Sequence, residues 1–255
     1  MSVRLQKNRV YDKKYNLALD VYEPEHPNGS GIMVIHGGGW FHGDKSTDED
    51  WAVMFARAGY VVAAPNYRFA PEYPYPAAKN DIFAAYQWFT GKYSLNKAGV
   101  AGASSGGNLA IELGMAKSIP IVSLSGIIDL EGWIAEHPGI EPKKDRQQSS
   151  QNDQGGPDDS FYKWFVLNYV GGDAALLKDA SLLHRVSGSA GPMLLINSMN
   201  ELSPVHAVLR LQEKLLALGV PVMTKFIPGG KHAKEYLDNA RTCMMDFFKE
   251  YLLDV

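Results

Sequence analysis

The chain has 255 residues, of which 45% are hydrophobic, and this is enough to bury a sizeable core within one α/β domain. Its formal net charge of −3 gives no reason to expect a nucleic acid or an anionic membrane as a partner. The one cysteine excludes an intramolecular disulfide and a multi-cysteine metal site. No stretch approaches the ~20 apolar residues of a membrane span, and the N-terminus lacks the apolar run of a signal peptide, so we expect a cytoplasmic protein.

The first elements in chain order are predicted to be strands. Residues 3–11 and 16–24 alternate apolar and polar side chains, which is typical of half-buried antiparallel strands. Residues 32–35 form a continuous apolar run, as in a strand that is covered on both faces.

Beyond residue 47, buried runs alternate with amphipathic segments. Helices are predicted around 47–58, 82–89, 105–113, 204–218 and 234–253, and strands within 60–67, 98–104, 119–126, 192–198 and 220–228. Strands that alternate with helices indicate a mostly parallel sheet with right-handed crossovers, flanked by helices. We expect one α/β domain over residues 1–255.

An insertion at about 130–180 breaks this alternation. Residues 137–165 begin with a polar stretch rich in Gln and Asp and end in aromatic residues. Low hydrophobicity favours an exposed loop over a second core. Residues 138–160 are therefore a candidate lid, and a solvated insertion without a role is the alternative.

Two adjacent serines lie in the stretch VAGASSGGNL, residues 100–109. A nucleophile elbow has the form G-x-S-x-G, because a strained serine backbone needs very small neighbours. Ser104 has glycine at both required positions, Gly102 and Gly106, and Ser105 has it at one. Ser104 is therefore the candidate nucleophile, and the N–H of Ser105, at a helix N-terminus, is a candidate oxyanion donor.

The motif HGGGW, residues 36–40, follows the buried strand 32–35. Consecutive glycines let the backbone turn its N–H groups toward a ligand, as in the second half of an esterase oxyanion hole. We take Gly38 and Gly39 as the donors and expect His36 to brace the loop. Trp40 and Phe41, which follow the glycines, are predicted to contact the substrate.

The chain contains seven histidines, one of which is expected to be the catalytic base. Elbow hydrolases have the chain order Ser, acid, His. His232 lies between the last predicted strand and the last predicted helix, and it fits that order. The other histidines lie in loops, in or beside the insertion, or within a predicted helix.

Several motifs together resemble one family. HGGGW, NYRFAPEYPYPAAKNDIFAAYQWF, GASSGG and GGKHA resemble the hormone-sensitive-lipase-like branch of the α/β-hydrolase superfamily. HGGGWFHGDK and SLSGIIDLEGW also resemble kynurenine formamidases and small acetyl and feruloyl esterases. The resemblance implies an eight-stranded, mostly parallel sheet with an insertion after the sixth strand, and a serine hydrolase. In it, Ser104 would be the nucleophile, His232 the base, and Gly38, Gly39 and Ser105 the oxyanion donors.

The third catalytic group is less obvious. The resemblance implies an aspartate after the strand 192–198, but this chain reads INSMNELSP, which contains no aspartate. Aligned backward from Pro204 the position falls on Asn200, and counted forward from Ile196 it falls on Glu201. A carboxylate stabilises the imidazolium that forms during catalysis, and glutamate replaces aspartate in some elbow hydrolases. We therefore favour Glu201 over Asn200, with a surface glutamate that has no role as the alternative.

The expected function is hydrolysis of a small-molecule ester with a short acyl chain, through an acyl-enzyme and without a metal or an organic cofactor. An arylformamidase of the kynurenine formamidase type is the enzymatic alternative. A hydrolase-fold protein that binds a ligand without cleaving it is the non-enzymatic alternative, and it would be expected to have lost the base or the acid.

Overall fold

The computed structural model describes residues 2–144 and 158–253. Its centre is an eight-stranded sheet in the order β1-β2-β4-β3-β5-β6-β7-β8. β2 is antiparallel to both of its neighbours, and the other neighbouring strands are parallel. The strands are β1 (Val3–Asp12), β2 (Leu17–Pro24), β3 (Ser30–Ile35), β4 (Val61–Pro65), β5 (Lys97–Ala103), β6 (Ile121–Leu124), β7 (Met193–Ser198) and β8 (Val222–Ile227). The predicted α/β architecture with a mostly parallel sheet is confirmed.

Helices cover both faces of this sheet. They are α1 (Glu49–Arg57), α2 (Ala77–Lys92), α3 (Ser105–Lys117), α4 (Leu130–Glu136), α5 (Asp159–Tyr169), α6 (Leu176–Ala180), α7 (Val205–Ala217) and α8 (Leu237–Leu252). Within the two described ranges, no helix is both long enough and apolar enough to cross a membrane.

Two apolar cores lie on opposite faces of the sheet because side chains of a strand alternate in direction. In β3, Met33 and Ile35 pack with α2, α3, α5 and α7, whereas Ile32 and Val34 pack with α1 and α8. All six residues of β3 are buried. This two-sided burial explains why the strand reads as a continuous apolar run.

The insertion differs from its prediction as an exposed loop. Its described part contains α4, α5 and α6, and α5 buries Tyr162, Phe165, Val166 and Tyr169 in the larger core. These apolar positions recur at helical spacing, and the preceding polar residues hide that pattern in the sequence. The aromatic end of the insertion is therefore core, and residues 145–157 of the predicted lid lie outside the described residues.

Candidate active site

The turn between β5 and α3 holds Ser104 in a backbone conformation that few residues adopt. Its φ is 54° and its ψ is −120°, and such a conformation persists only where the surroundings enforce it. The N–H of Ser104 donates to the carbonyl of Leu124, and its own carbonyl accepts from Asn108. These two bonds attach the turn to the end of β6 on one side and to the first turn of α3 on the other.

The glycines around Ser104 are required by close backbone contacts. A Cβ on Gly102 would lie 2.2 Å from the carbonyl oxygen of Gly106. A Cβ on Gly106 would lie 2.1 Å from the carbonyl oxygen of Ile35 and 2.4 Å from that of His36. Any larger side chain would therefore push the turn away from the end of β3.

The loop after β3 packs against this turn. A Cβ on Gly37 would lie 2.9 Å from the carbonyl oxygen of Ala103. Gly38 and Gly39 both have positive φ, 120° and 56°, and their N–H groups donate to no other group within the described chain. Ser105 is the first residue of α3, where N–H groups also lack helical partners. The three predicted oxyanion donors thus lie beside Ser104.

His36 holds this loop from beneath. Its ring stacks on Tyr67 with centroids 4.4 Å apart, and its Nδ1 lies 2.7 Å from the carbonyl oxygen of Gly37. The hydroxyl of Tyr67 donates to the carbonyl of His36 at 2.9 Å. Burial lowers the pKa of His36 to about 4, so the ring is neutral at neutral pH and Nδ1–H donates to Gly37.

His232 and Glu201 form a direct pair. Nδ1 of His232 lies 2.6 Å from Oε2 of Glu201, whose side chain is fully buried. The other carboxylate oxygen, Oε1, accepts the N–H of Ser198 at 2.7 Å. Asn200 is exposed and contributes its backbone N–H to the carbonyl of Gly229. Of the two candidates for the third group, the structure places Glu201 on the histidine.

A buried hydrogen-bond network positions the histidine loop. The hydroxyl of Ser125, after β6, lies 2.6 Å from the hydroxyl of Tyr236 and accepts the N–H of Ala233 at 2.8 Å. The hydroxyl of Tyr236 also donates to the carbonyl of Ile196 in β7. The backbone beside His232 is thereby tied to the ends of two neighbouring strands. No feature of the sequence identifies Ser125 as part of the site.

Ser104, His232, Gly38 and Gly39 line one cavity of about 310 Å³. Phe41, which is predicted to contact the substrate, contributes to its wall. Further wall residues that the sequence did not single out are Phe161, Leu202, His42, Thr47, Asp48 and Lys234. An aromatic pair at i and i+4, Phe161 and Phe165, is the signal that α5 forms one wall.

Trp40 requires a correction. Its side chain is completely buried and stacks on Tyr169 of α5, with ring centroids 4.0 Å apart. Its backbone φ is positive, 62°, and the residue is not among those that line the cavity. Trp40 is therefore not a substrate contact but packs behind the glycine loop.

Comparison with known proteins agrees with this geometry. A sequence model described as the α/β hydrolase fold matches residues 32–235, which is most of the chain. The chain belongs to this family. Among solved structures, an esterase of Pyrobaculum calidifontis superposes on this α/β hydrolase with a TM-score of 0.76 and 23% identity, and the match covers 98% of this chain and 86% of that one. That likeness is one of fold.

Curated relatives of this α/β hydrolase are longer proteins. Esterase LipC of Mycobacterium tuberculosis is 26% identical over 222 residues, which cover 83% of this chain and 54% of LipC. Arylacetamide deacetylase of Bos taurus is 34% identical over 115 residues, which cover 40% of this chain and 29% of that protein. The chain spans about half the length of LipC, and the shared part of the deacetylase is shorter still.

Proposed function

We propose that this protein is a serine esterase that hydrolyses short-chain carboxylic esters through an acyl-enzyme. The observation that carries the proposal is the 2.6 Å contact between His232 and the buried carboxylate of Glu201, beside a cavity that Ser104 also lines. A buried carboxylate on Nδ1 fixes the imidazole tautomer whose Nε2 can accept a proton. The names of the relatives, an esterase and a deacetylase, support hydrolysis of an acyl bond.

The first half of the reaction acylates Ser104. Its hydroxyl oxygen attacks the ester carbonyl carbon while Nε2 of His232 takes the hydroxyl proton. Negative charge moves onto the carbonyl oxygen, where the N–H groups of Gly38, Gly39 and Ser105 donate to it. Each such donor lowers the barrier by about 3 kcal/mol. Collapse of the tetrahedral intermediate breaks the ester bond, and His232 gives its proton to the leaving alcohol.

The second half releases the acyl group. A water molecule attacks the acyl carbonyl carbon as His232 takes one of its protons, and the same N–H groups stabilise the oxyanion. The bond to the Ser104 oxygen then breaks, and His232 returns the proton to it. Glu201 stays ionised throughout and stabilises the imidazolium that forms twice per turnover.

The size and walls of the cavity support a short acyl chain. Its volume of about 310 Å³ is at the small end of the range for ligand pockets. Phe41, Phe161 and Phe165 supply apolar wall surface. The pairing of His232 with Glu201 also argues against a protein that only binds its ligand, because such a protein has no need of a base and an acid.

Labelling by a fluorophosphonate probe tests the nucleophile. We expect the wild type and the Ser105→Ala variant each to gain one phosphonyl group, measured by mass spectrometry, and Ser104→Ala to stay unlabelled. Ser105→Ala is the matched control, because it removes the neighbouring hydroxyl and keeps the backbone N–H. Labelling that survives Ser104→Ala would overturn the assignment.

Substrate profiling tests the reaction class. We expect kcat/KM for p-nitrophenyl esters to be highest for acetate to butyrate and to fall for longer chains. N-formylkynurenine is assayed in the same series. Faster turnover of this formamide than of every ester would replace the esterase with an arylformamidase.

A further inference from the structure

Asp48 lies in the wall of the cavity without the partners that a residue in its position normally has. It precedes α1 as the N-cap residue, where an aspartate usually accepts an N–H from the first turn. Here the side chain makes no such bond. The residue is 3% exposed, and its Oδ2 has no hydrogen-bond partner among the residues that the structure describes.

The neighbouring charged groups do not pair with this carboxylate. Lys234, the nearest cation in the wall, donates to the carbonyl of Thr47 at 2.6 Å and to Oδ1 of Asp50 at 2.9 Å. His42, also in the wall, has its pKa lowered by desolvation, which disfavours its cationic form. Burial raises the pKa of Asp48 to about 6, against the opposing effect of Lys234. At neutral pH the cavity wall therefore contains a largely buried, ionised carboxylate whose Oδ2 has no hydrogen-bond partner among the described residues, which is unfavourable for the free protein.

We propose that Asp48 determines substrate specificity by accepting a hydrogen bond from a hydroxyl group of the ester substrate. This inference rests on the proposed esterase function. Phe41, Phe161 and Leu202 would pack against the carbon atoms of the substrate, and Asp48 would bind its hydroxyl. The ammonium of Lys234 partly neutralises the carboxylate and opposes a second cation, which favours a neutral donor over an amine.

Pairs of esters with equal numbers of heavy atoms test this proposal. On the alcohol side, 4-hydroxybutyl acetate is compared with pentyl acetate. On the acyl side, methyl 3-hydroxybutyrate is compared with methyl 3-methylbutyrate. In at least one pair we expect the wild type to prefer the hydroxylated ester by about tenfold or more in kcat/KM, since hydrogen bonds to charged groups are the strong ones. Asp48→Leu should abolish or reverse that preference.

The pH dependence of the kcat/KM ratio distinguishes a hydrogen bond to the ionised carboxylate from a general effect of a polar wall. The preference of the wild type should rise between pH 5 and pH 7.5 as Asp48 ionises. The catalytic steps are common to both esters of a pair, so their own pH dependence cancels in the ratio. Asp48→Asn, which keeps the shape, should show a smaller and pH-independent preference. Glu49→Gln removes a charge from the adjacent residue, which is exposed and lies outside the wall, and its ratio should match that of the wild type.

Four results would overturn the proposal or separate it from the esterase function. A wild-type ratio near one in both pairs, or a ratio unchanged by Asp48→Leu, would overturn it. So would an Asp48-dependent preference for acetylcholine over its neutral isostere 3,3-dimethylbutyl acetate without any hydroxyl preference, since that would indicate recognition of charge. If no ester is hydrolysed, the proposed esterase function is wrong. In that case, amides with the same acyl and alkyl groups as the ester pairs are compared as ligands by NMR titration. Tighter binding of the hydroxylated amide that Asp48→Leu removes would still support the role of Asp48, and equal Kd values would overturn it.

Discussion

Glu201 uses both carboxylate oxygens, and this explains how a glutamate can occupy a position where relatives are expected to carry an aspartate. Oε2 contacts Nδ1 of His232, and Oε1 accepts the N–H of Ser198 at the end of β7. The second bond holds the longer side chain in one orientation. Because the chain bends back from Ser198 to Glu201, the extra methylene is accommodated within the loop.

Replacing Glu201 by Gln is expected to lower kcat by roughly 10³–10⁴ with little change in KM. The amide oxygen of Gln can still accept the N–H of Ser198, which places its NH₂ group against Nδ1 of His232. That group donates to Nδ1, so the ring proton moves to Nε2, which can then no longer take the proton of Ser104. Steady-state kinetics on p-nitrophenyl acetate measure the effect.

Asn200→Ala is the matched control for this experiment, because Asn200 is the adjacent residue and its side chain is exposed. We expect its kcat to stay within a few-fold of the wild type. Near-normal turnover in the Glu201→Gln variant would show that another group stabilises His232.

Ser104 and Trp40 show which single residues the sequence can identify. The role of Ser104 depends on glycines two positions away, so the requirement is visible in the local sequence. The environment of Trp40 depends on Tyr169, which is far away in the chain and belongs to a helix that the sequence did not reveal. Neighbours along the chain therefore suffice to predict the strained turn at Ser104, but they do not show where the side chain of Trp40 packs.

At the scale of elements, the site depends on how closely the turn between β5 and α3 approaches the end of β3. The carbonyl oxygens of Ile35 and His36 lie where a Cβ on Gly106 would have to be. The glycine loop follows β3 and Ser104 follows β5, so this contact sets the spacing between the proposed oxyanion donors and the proposed nucleophile.

Gly106→Ala is expected to destabilise the protein by about 2–3 kcal/mol, as overpacking of a rigid contact does, and to lower kcat by separating the two loops. Gly91→Ala is the control, because Gly91 lies exposed in α2 with nothing within 4 Å of the added Cβ. There the higher helix propensity of alanine should raise stability by up to ~1 kcal/mol. Urea unfolding of both variants measures the difference, and equal stability would show that the backbone at Gly106 adjusts freely.

The elements themselves were predicted to different degrees. Each of the eight strands overlaps a predicted segment, because alternation or continuous burial is a local property of the sequence. α4, α5 and α6 were missed, because the polar stretch between α4 and α5 gives the insertion as a whole the composition of a solvated loop. The helical spacing of four residues is present in the sequence: Tyr162, Phe165, Val166 and Tyr169. The polar composition of the preceding residues nevertheless favoured an exposed loop over a helix.

On the scale of the whole molecule, the proposed catalytic groups come from distant parts of the chain and meet at one edge of the sheet. The loops after β3, β5, β7 and β8 carry the glycines, Ser104, Glu201 and His232. Parallel strands bring their carboxyl ends to the same edge, so a mostly parallel sheet and the order Ser, acid, His were enough to predict this meeting. The position of Ser125 beneath these loops depends on contacts between three strand ends, and no local pattern encodes it.

The ionised carboxylate of Asp48 should also lower the free energy of unfolding of the protein. Its pKa in the folded protein is raised by burial from 3.8 to about 6, so between these values the folded state binds the proton more tightly than the unfolded state does. The contribution of Asp48 to the free energy of unfolding therefore falls as pH rises through this window. The full loss of stability is reached above about pH 6. At roughly 1.4 kcal/mol per pKa unit, this loss of stability is on the order of 3 kcal/mol.

Asp48→Asn cannot ionise, so its stability relative to the wild type should increase between pH 4 and pH 6.5 and then stay level. Urea unfolding of both proteins at matched pH values measures the difference, in which the pH dependence of the groups common to both proteins largely cancels. Glu49→Gln, at the adjacent exposed position, should show no comparable rise. A difference that is constant with pH, or that decreases, would mean that Asp48 is paired or hydrated in the folded protein. A rise with pH would instead show that the fold keeps a charge that destabilises it, which is the condition expected of a group whose partner is a substrate.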